Sequence, residues 1–289
     1  MQRFSLLLIL LCATNAYSQL ATTFKSTEVS PGIFMIEGVD GFSANLALMV
    51  GKDYVAMVDD GVEQVSEQLL AHVADTSGRP VNFLINTHVH GDHAGGNAFF
   101  AEQDIVIFAH DNIRKRLLDD NTPAGGPGGL PVVTFADGVT FHLNGIEARI
   151  FHVENAHTDG DAAIYFPKAN VIAAGDLMFN KLFPFIDPEN GGSVDGYIAA
   201  QQMLVNLADA KTIIIPGHGA IANRADLKAN LATLIDSRKR VKALVDEGKS
   251  SDEVVAANPL AVYHDEYNWG FITTEIMTRA LYTDLTGDK

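Results

Sequence analysis

Three imidazoles and one carboxylate crowd into the run Thr87-His88-Val89-His90-Gly91-Asp92-His93. That density exceeds anything folding alone requires, and all four side chains are donors for a hard-to-borderline metal such as zinc. The flanking text says how they can converge. Val81 to Asn86 reads as a buried strand, and Gly91, Gly95 and Gly96 let the next segment turn sharply before entering a helix. Donors on such a loop can meet at one point, whereas a regular strand sends alternate side chains to opposite faces.

The composition narrows what surrounds this run. Hydrophobic residues make up 47% of the 289, enough for a substantial core, and charged residues at 19% are too few for a disordered chain. A formal net charge of -16 argues against nucleic acid, whose phosphates require a basic footprint, and against an anionic membrane surface. Residues 1–18 have the form of a cleavable signal peptide: Arg3, an apolar core from Leu6 to Leu11, and small residues at Ala16 and Ser18. The expectation is therefore a periplasmic or secreted protein, since that core is too short to span a bilayer. The single cysteine, Cys12, lies inside the signal, and bulky Leu11 before it argues against lipid attachment. The mature chain then has no thiolate ligand and no disulfide. Residues 19–289 are expected to form one domain with a C-terminal helical extension from about residue 236.

Strands are expected at Gly32–Gly38, at Asn45–Val50 and Tyr54–Val58 as a hairpin, and at Asp104–Ala109. Further strands fit Val139–Leu143, Glu147–His152, Ala162–Phe166, Asn170–Ala174 and Lys211–Ile215. Helical periodicity covers Val62–Ala74, Asp111–Asp119, Val194–Ala208, Arg224–Glu247, Ser251–Ala257 and Ile272–Leu285. The Gly/Pro-rich stretch Asn121–Pro131 is a loop, and it lacks the Gly-Lys-Ser/Thr ending of a phosphate cradle. Two similar halves of alternating strands and helices suggest two sheets face to face with helices outside.

Three more donors lie beside glycine near strand ends: His157 in His157-Thr158-Asp159-Gly160-Asp161, Asp176 after Gly175, and His218 in Pro216-Gly217-His218-Gly219. Singly, each could be a surface or turn residue. The ordered set His-x-His-x-Asp-His, His, Gly-Asp, Gly-His resembles the metallo-β-lactamase superfamily over roughly residues 30 to 235. The resemblance implies an α/β fold, an αββα four-layer sandwich with a two-metal site at one edge. It implies that His88, His90 and His157 hold one metal, that Asp92, His93 and His218 hold the other, and that Asp176 bridges them. It implies a supporting role for Asp59, in the strand-end Asp59-Asp60-Gly61. His72, His110, His142, His152 and His264 lack such context and are read as packing or surface residues.

This ligand set has the chemistry of a hydrolase. The nitrogen and oxygen donors suit two zinc ions, with manganese or iron as alternatives. Two such ions can share a hydroxide that attacks a carbonyl or phosphoryl centre, with Asp92 and Asp176 as the catalytic carboxylates. Asp176 sets the chain apart from β-lactamases with a cysteine at that position and places it nearer the glyoxalase II and lactonase branches. The expected substrate is a small amide, lactone or ester, neutral or monoanionic, with β-lactams among the candidates. A glyoxalase II-like thioester hydrolase, a single-iron persulfide dioxygenase and a non-catalytic zinc-binding protein are the alternatives. Met178–Phe185 is apolar and aromatic with one cation, so Asn180, Lys181 and Phe183 are candidate substrate contacts on one wall, with Phe42 on the other. Packing of Phe183 and Phe185 into the core is the competing reading.

Overall fold

The computed structural model describes residues 23–39, 41, 43–118 and 127–287. The expected signal segment, Phe42 and most of the Asn121–Pro131 loop lie outside them.

Seven strands form the first sheet, in sequential order: β1 (Thr23–Ser30), β2 (Ile33–Val39), β3 (Leu46–Val50), β4 (Val55–Val58), β5 (Phe83–Ile85), β6 (Val106–His110) and β7 (Val133–Phe135). The first four pair antiparallel and the last four parallel. The helices between them are α1 (Ser66–Ser77), α2 (Gly91–Ala94), α3 (Asn97–Ala101) and α4 (Asp111–Leu117). The second sheet contains β8 (Gly138–Leu143), β9 (Ile146–His152), β10 (Ala162–Phe166), β11 (Val171–Phe179), β12 (Ile213–His218) and β13 (Ala222–Asn223), in the order β13-β12-β11-β10-β9-β8. Helix α5 (Val194–Leu207) connects β11 to β12, which run parallel. The chain ends in α6 (Arg224–Asp246), α7 (Ser251–Ala257), α8 (His264–Tyr267) and α9 (Thr274–Thr286).

Period-two alternation decides the layering. In β3 and β4, Ala47, Met49, Ala56 and Val58 face the second sheet and pack with Ile150, Ile164, Phe166 and Ile215. Their neighbours Leu46, Leu48, Val55 and Met57 face outward against Leu69 and Val73 of α1 and Phe100 of α3. The second sheet repeats the arrangement, with Ile172, Ala174 and Ile214 turned toward Ala200 and Leu204 of α5 and Leu227 and Leu231 of α6. The result is the expected αββα sandwich. Local signals fix the helix ends: Asn223 and Asp226 form a capping box on α6, Ser250 and Glu253 form one on α7, and Gly78 ends α1 in a left-handed conformation.

Strands β1, β7 and β13 and helix α8 are not among the expected elements, and β11 has other bounds. Strand β1 has no apolar run to announce it, because its Thr, Lys, Ser and Glu side chains suit a half-exposed edge. Strand β11 runs to Phe179 rather than stopping at Ala174, and all nine of its residues are buried. Its pairing with β12 is irregular around Gly175, whose φ is +50°. A bulge at that point re-aims the next side chain, Asp176. The helical text past residue 236 begins within α6 and continues through α7 to α9, which share a core with Tyr197 of α5 and Phe179 of β11.

Candidate metal centre

The C-terminal ends of β4, β5, β11 and β12 meet at one edge of the sandwich. There Asn45 ties the sheets together, with its N–H donating to Gly217 O at 2.7 Å and its side chain to Pro216 O and Gly219 O. Ala162 N–H adds a second link, to Thr87 O at 2.8 Å. Into this edge project His88 and His90 from the loop after β5, Asp92 and His93 from α2, His157 from the β9–β10 loop, Asp176 from β11 and His218 from the end of β12.

These seven fall into two groups whose donor atoms lie within 4.8 Å of one another: His88, His90, His157 and Asp176, then Asp92, His93 and His218. Asp176 belongs to both by distance. Its Oδ2 is 3.4 Å from His157 Nε2 and 3.8 Å from His88 Nε2, while its Oδ1 is 3.0 Å from His93 Nε2 and 3.5 Å from His218 Nε2. Asp92 Oδ2 completes the second group at 3.2 Å from His218 Nε2 and 3.8 Å from His93 Nε2.

The hydrogen bonds around the rim fix which nitrogen of each ring faces inward. His93 Nδ1–H donates to Asp59 Oδ2 at 2.8 Å, His90 Nε2–H to Asp187 Oδ2 at 2.8 Å and His157 Nδ1–H to Phe185 O at 2.8 Å. Thr87 Oγ1–H donates to Asp59 Oδ2, so the hydroxyl accepts from His88 Nδ1–H at 3.0 Å. In their neutral forms these four rings turn lone pairs inward, and two of the inward nitrogens, on His90 and His157, stand 2.8 Å apart. His88 Nε2, His93 Nε2 and Asp176 Oδ1 are buried without a hydrogen bond to any described residue. Buried, convergent and unsatisfied lone pairs are costly unless a cation occupies the space between them. The donor set thus fits metal ions.

Electrostatics lead to the same conclusion. Burial, and then the neighbouring imidazoles, push His88 well below the usual histidine range and His157 down to about 4, which leaves both neutral. Burial opposes charge on His93 and on Asp176, but Asp176, Asp92 and Asp59 push His93 well above the usual histidine range, and His93, His218 and His88 hold the Asp176 carboxyl well below its ordinary value, so His93 carries the positive charge that a bound cation would replace. Neutral imidazole and ionised carboxylate are the forms that ligate.

Close backbone approach makes room for this arrangement. A Cβ on Gly217 would sit 2.0 Å from Asp176 Oδ1, and one on Gly175 would sit 2.6 Å from Thr87 Oγ1. From behind, Tyr197 Oη–H donates to Asp176 O at 3.0 Å and Gln201 to Leu177 O at 3.1 Å, so α5 holds the bulged strand. In the β9–β10 loop, Asp161 accepts from the N–H and hydroxyl of Thr158, and burial raises its pKa to about 8. The His-Thr-Asp-Gly-Asp text therefore shapes the turn that presents His157.

The expected substrate contacts fare differently. Phe183 is 1% exposed and packs against Tyr267, so it belongs to the core and offers no surface to a ligand. Asn180 is also buried: its side chain donates to Ala220 O at 2.9 Å and its N–H to His218 O. Its side-chain amide N–H braces the turn after β12, while its Oδ1 has no hydrogen bond to any described residue. The Lys181 ammonium is directed to Glu266, 3.8 Å away on α8. Sequence reasoning missed Asp187, 97 residues from its partner His90, because no local pattern marks it. It also missed the aromatic side chains Trp269 and Phe271, which lie beyond the motif-bearing region. His110 and His152, read as packing residues, stack face to face at 3.6 Å with rings 6° apart.

The family model for the metallo-beta-lactamase superfamily matches residues 39–218. The metallo-beta-lactamase IND-1 of Chryseobacterium indologenes is 26% identical over 195 residues, 64% of this chain and 75% of that protein. A hydroxyacylglutathione hydrolase of Nitrosococcus oceani is 28% identical over 186 residues, 62% of this chain and 63% of that enzyme. Among solved structures, a metallo-beta-lactamase from Pontibacter korlensis superposes with a TM-score of 0.64 at 19% identity, covering 74% of this chain and all of that one. A stereoselective inverting sec-alkylsulfatase from a Pseudomonas species superposes with a TM-score of 0.72 at 16% identity, covering 91% of this chain and 50% of that one. The chain belongs to the metallo-beta-lactamase superfamily. It is a metal-dependent hydrolase with the His/Asp metal site of that family.

Proposed function

We propose that the protein is an exported di-zinc hydrolase acting on the carbonyl of a small amide, lactone or ester, neutral or monoanionic, with β-lactams and thioesters within its chemical reach. The observation that carries this reading is Asp176, one carboxylate with an oxygen turned to each of two complete donor groups. Two divalent cations bound there supply Lewis acidity and a water acidic enough to attack at neutral pH.

The chain's own residues do the rest. His88, His90 and His157 would hold one cation and Asp92, His93 and His218 the other, with the Asp176 carboxylate between the two groups. The side chains of Asp92 and His90 are 20% and 19% exposed, against 6% or less for the other five, so the open face lies on their side. Asp92, held ionised by His93 and His218 against its burial, orients the attacking water and accepts its proton. Water adds to the carbonyl carbon, the bond to the leaving nitrogen, oxygen or sulfur breaks, and the proton passes to the departing atom. Sulfur-free nitrogen and oxygen donors favour zinc. The complete second group, Asp92, His93 and His218, weighs against a single-iron oxygenase and against a protein that binds metal without turnover.

Export is supported by the text of residues 1–18 and is tested by the N-terminal mass of the protein recovered outside the cytoplasm. The central test is metal analysis of the purified protein, followed by assays on β-lactams, lactones, aryl esters, thioesters and phosphodiesters. Two zinc equivalents and hydrolysis of a carbonyl substrate are expected. Asp176→Ala should retain one equivalent or fewer and lose about a thousandfold or more in kcat/KM. A variant that kept both ions and full turnover would overturn the bridging role.

A further inference from the structure

An arc of aromatic rings runs from one donor group to the other, and its outer part comes from the C-terminal segment. His90 is 5.5 Å from Phe185, Phe185 is 5.4 Å from Phe271, Phe271 is 5.7 Å from Trp269, and Trp269 is 5.8 Å from His218. Phe179 stacks on His218 at 5.0 Å and lies 6.1 Å from Trp269, tilted to it. The indole is fixed: Trp269 Nε1–H donates to Phe183 O at 2.9 Å, which commits its polar edge to the backbone and leaves its faces to apolar contacts. The turn carrying these rings is itself pinned, with Asn268 Oδ1 accepting from Thr274 N–H at 2.9 Å and Thr273 capping α9. Phe185 and Trp269 are partly buried, while Phe271, between them in the arc, is 55% exposed. The charged residues beside the ligand rings are acidic: Asp59, Asp92, Asp176 and Asp187.

We propose that Phe185, Trp269 and Phe271 form the subsite for an aromatic or bulky apolar arm on the substrate, placed next to the carbonyl that is cleaved. The proposal rests on the hydrolase reading above and narrows its substrate class to acyl compounds with an uncharged, flat or branched apolar group. Rigid rings already in mutual contact lose little freedom when such a group joins them, and they offer an uncharged arm apolar faces with no cation among them to pair with a charged one.

Trp269 is the only tryptophan in the chain, so its fluorescence reports on this subsite alone. The experiment uses the full metal-loaded protein and two probes that share one metal-binding headgroup, benzohydroxamate and acetohydroxamate. Calorimetry and Trp269 emission are recorded for each. Benzohydroxamate is expected to bind about tenfold tighter or more and to shift the emission. Phe271→Ala removes an exposed side chain with little risk to folding and should cut that preference to about threefold or less, leaving acetohydroxamate affinity unchanged; Phe271→Tyr should keep the preference. Equal affinities in the unmodified protein, or a preference that survives Phe271→Ala together with Phe185→Ala, would sink the subsite while leaving the metal reading intact. Failure of both probes to bind the loaded protein would overturn the metal reading and the subsite with it.

Discussion

Asp59 and His93 meet through a 2.8 Å hydrogen bond, Nδ1–H to Oδ2, with both residues almost completely buried. Asp59 sits at φ +64°, in the left-handed region, and from there also accepts the Thr87 N–H at 2.7 Å and hydroxyl at 2.8 Å. One carboxylate thereby orients His93 directly and His88 through Thr87. Its strained backbone and its contacts are parts of one device.

Asp59→Asn tests that device cleanly, because asparagine tolerates a left-handed backbone while its amide cannot reproduce three accepted bonds. Metal affinity should fall about 10- to 100-fold, read by competition with a chelating dye. An unchanged affinity would show that His93 and His88 need no orienting partner.

Asp187 plays the corresponding part for His90. Its Oδ2 accepts the His90 Nε2–H, while the backbone N–H groups of Glu189 and Asn190 donate to Oδ1. Asp187→Ala should again weaken metal binding about 10- to 100-fold. It should do so with a smaller loss of melting temperature than Asp59→Asn, since the β11–α5 loop lies nearer the surface.

Gly217 is required for space. Gly217→Ala would place a methyl 2.0 Å from Asp176 Oδ1, and either the strand or the carboxylate must yield. The expected outcome is a stability loss of about 1–3 kcal/mol by denaturant titration, together with impaired uptake of metal by calorimetry.

Lys181→Ala should change little. Lys181 and Glu266 are both more than half exposed and 3.8 Å apart, a pair of the kind that contributes about 0–1 kcal/mol. Steady-state kinetics on acidic and neutral esters should show KM altered alike, within about twofold. A selective rise for the acidic ester would restore Lys181 as a substrate contact.

Acid should loosen the fold partly through His110. Burial, and then the stacked His152, hold it below the usual imidazole value, so the folded state favours the neutral ring. Its contribution is complete above about pH 6.5, the ordinary value, and is lost as pH falls below that, because the unfolded chain takes up the proton first. His110→Asn keeps an acceptor for the Asn112 N–H. Its melting temperature should fall less steeply than that of the unmodified protein between about pH 6.5 and pH 5.

The seven donors, their order and the sandwich beneath them were legible in the chain because each signal is local. Ligand chemistry resides in side-chain type, and strands such as Leu46–Val50 announce themselves by two-residue alternation. Where the alternation failed, so did the reading: β11 is buried on both faces along its length, and only its pairing with β12 showed that it carries Asp176 within it. Asp187, Trp269 and Phe271 left no trace at all. Nothing near residue 90 or 218 in the sequence states where a loop 97 residues later will return, or that the last helices will lay an indole beside a ligand ring. Packing also separated look-alikes: Phe183 and Phe185 are two residues apart in one apolar run, yet the core took the first and the rim of the site the second. The sequence determined which atoms could bind and broadly where the backbone would carry them. Only the tertiary structure decided which distant groups hold those atoms in place and which surface a substrate meets, because those contacts depend on long-range closure of the chain and not on any pattern along it.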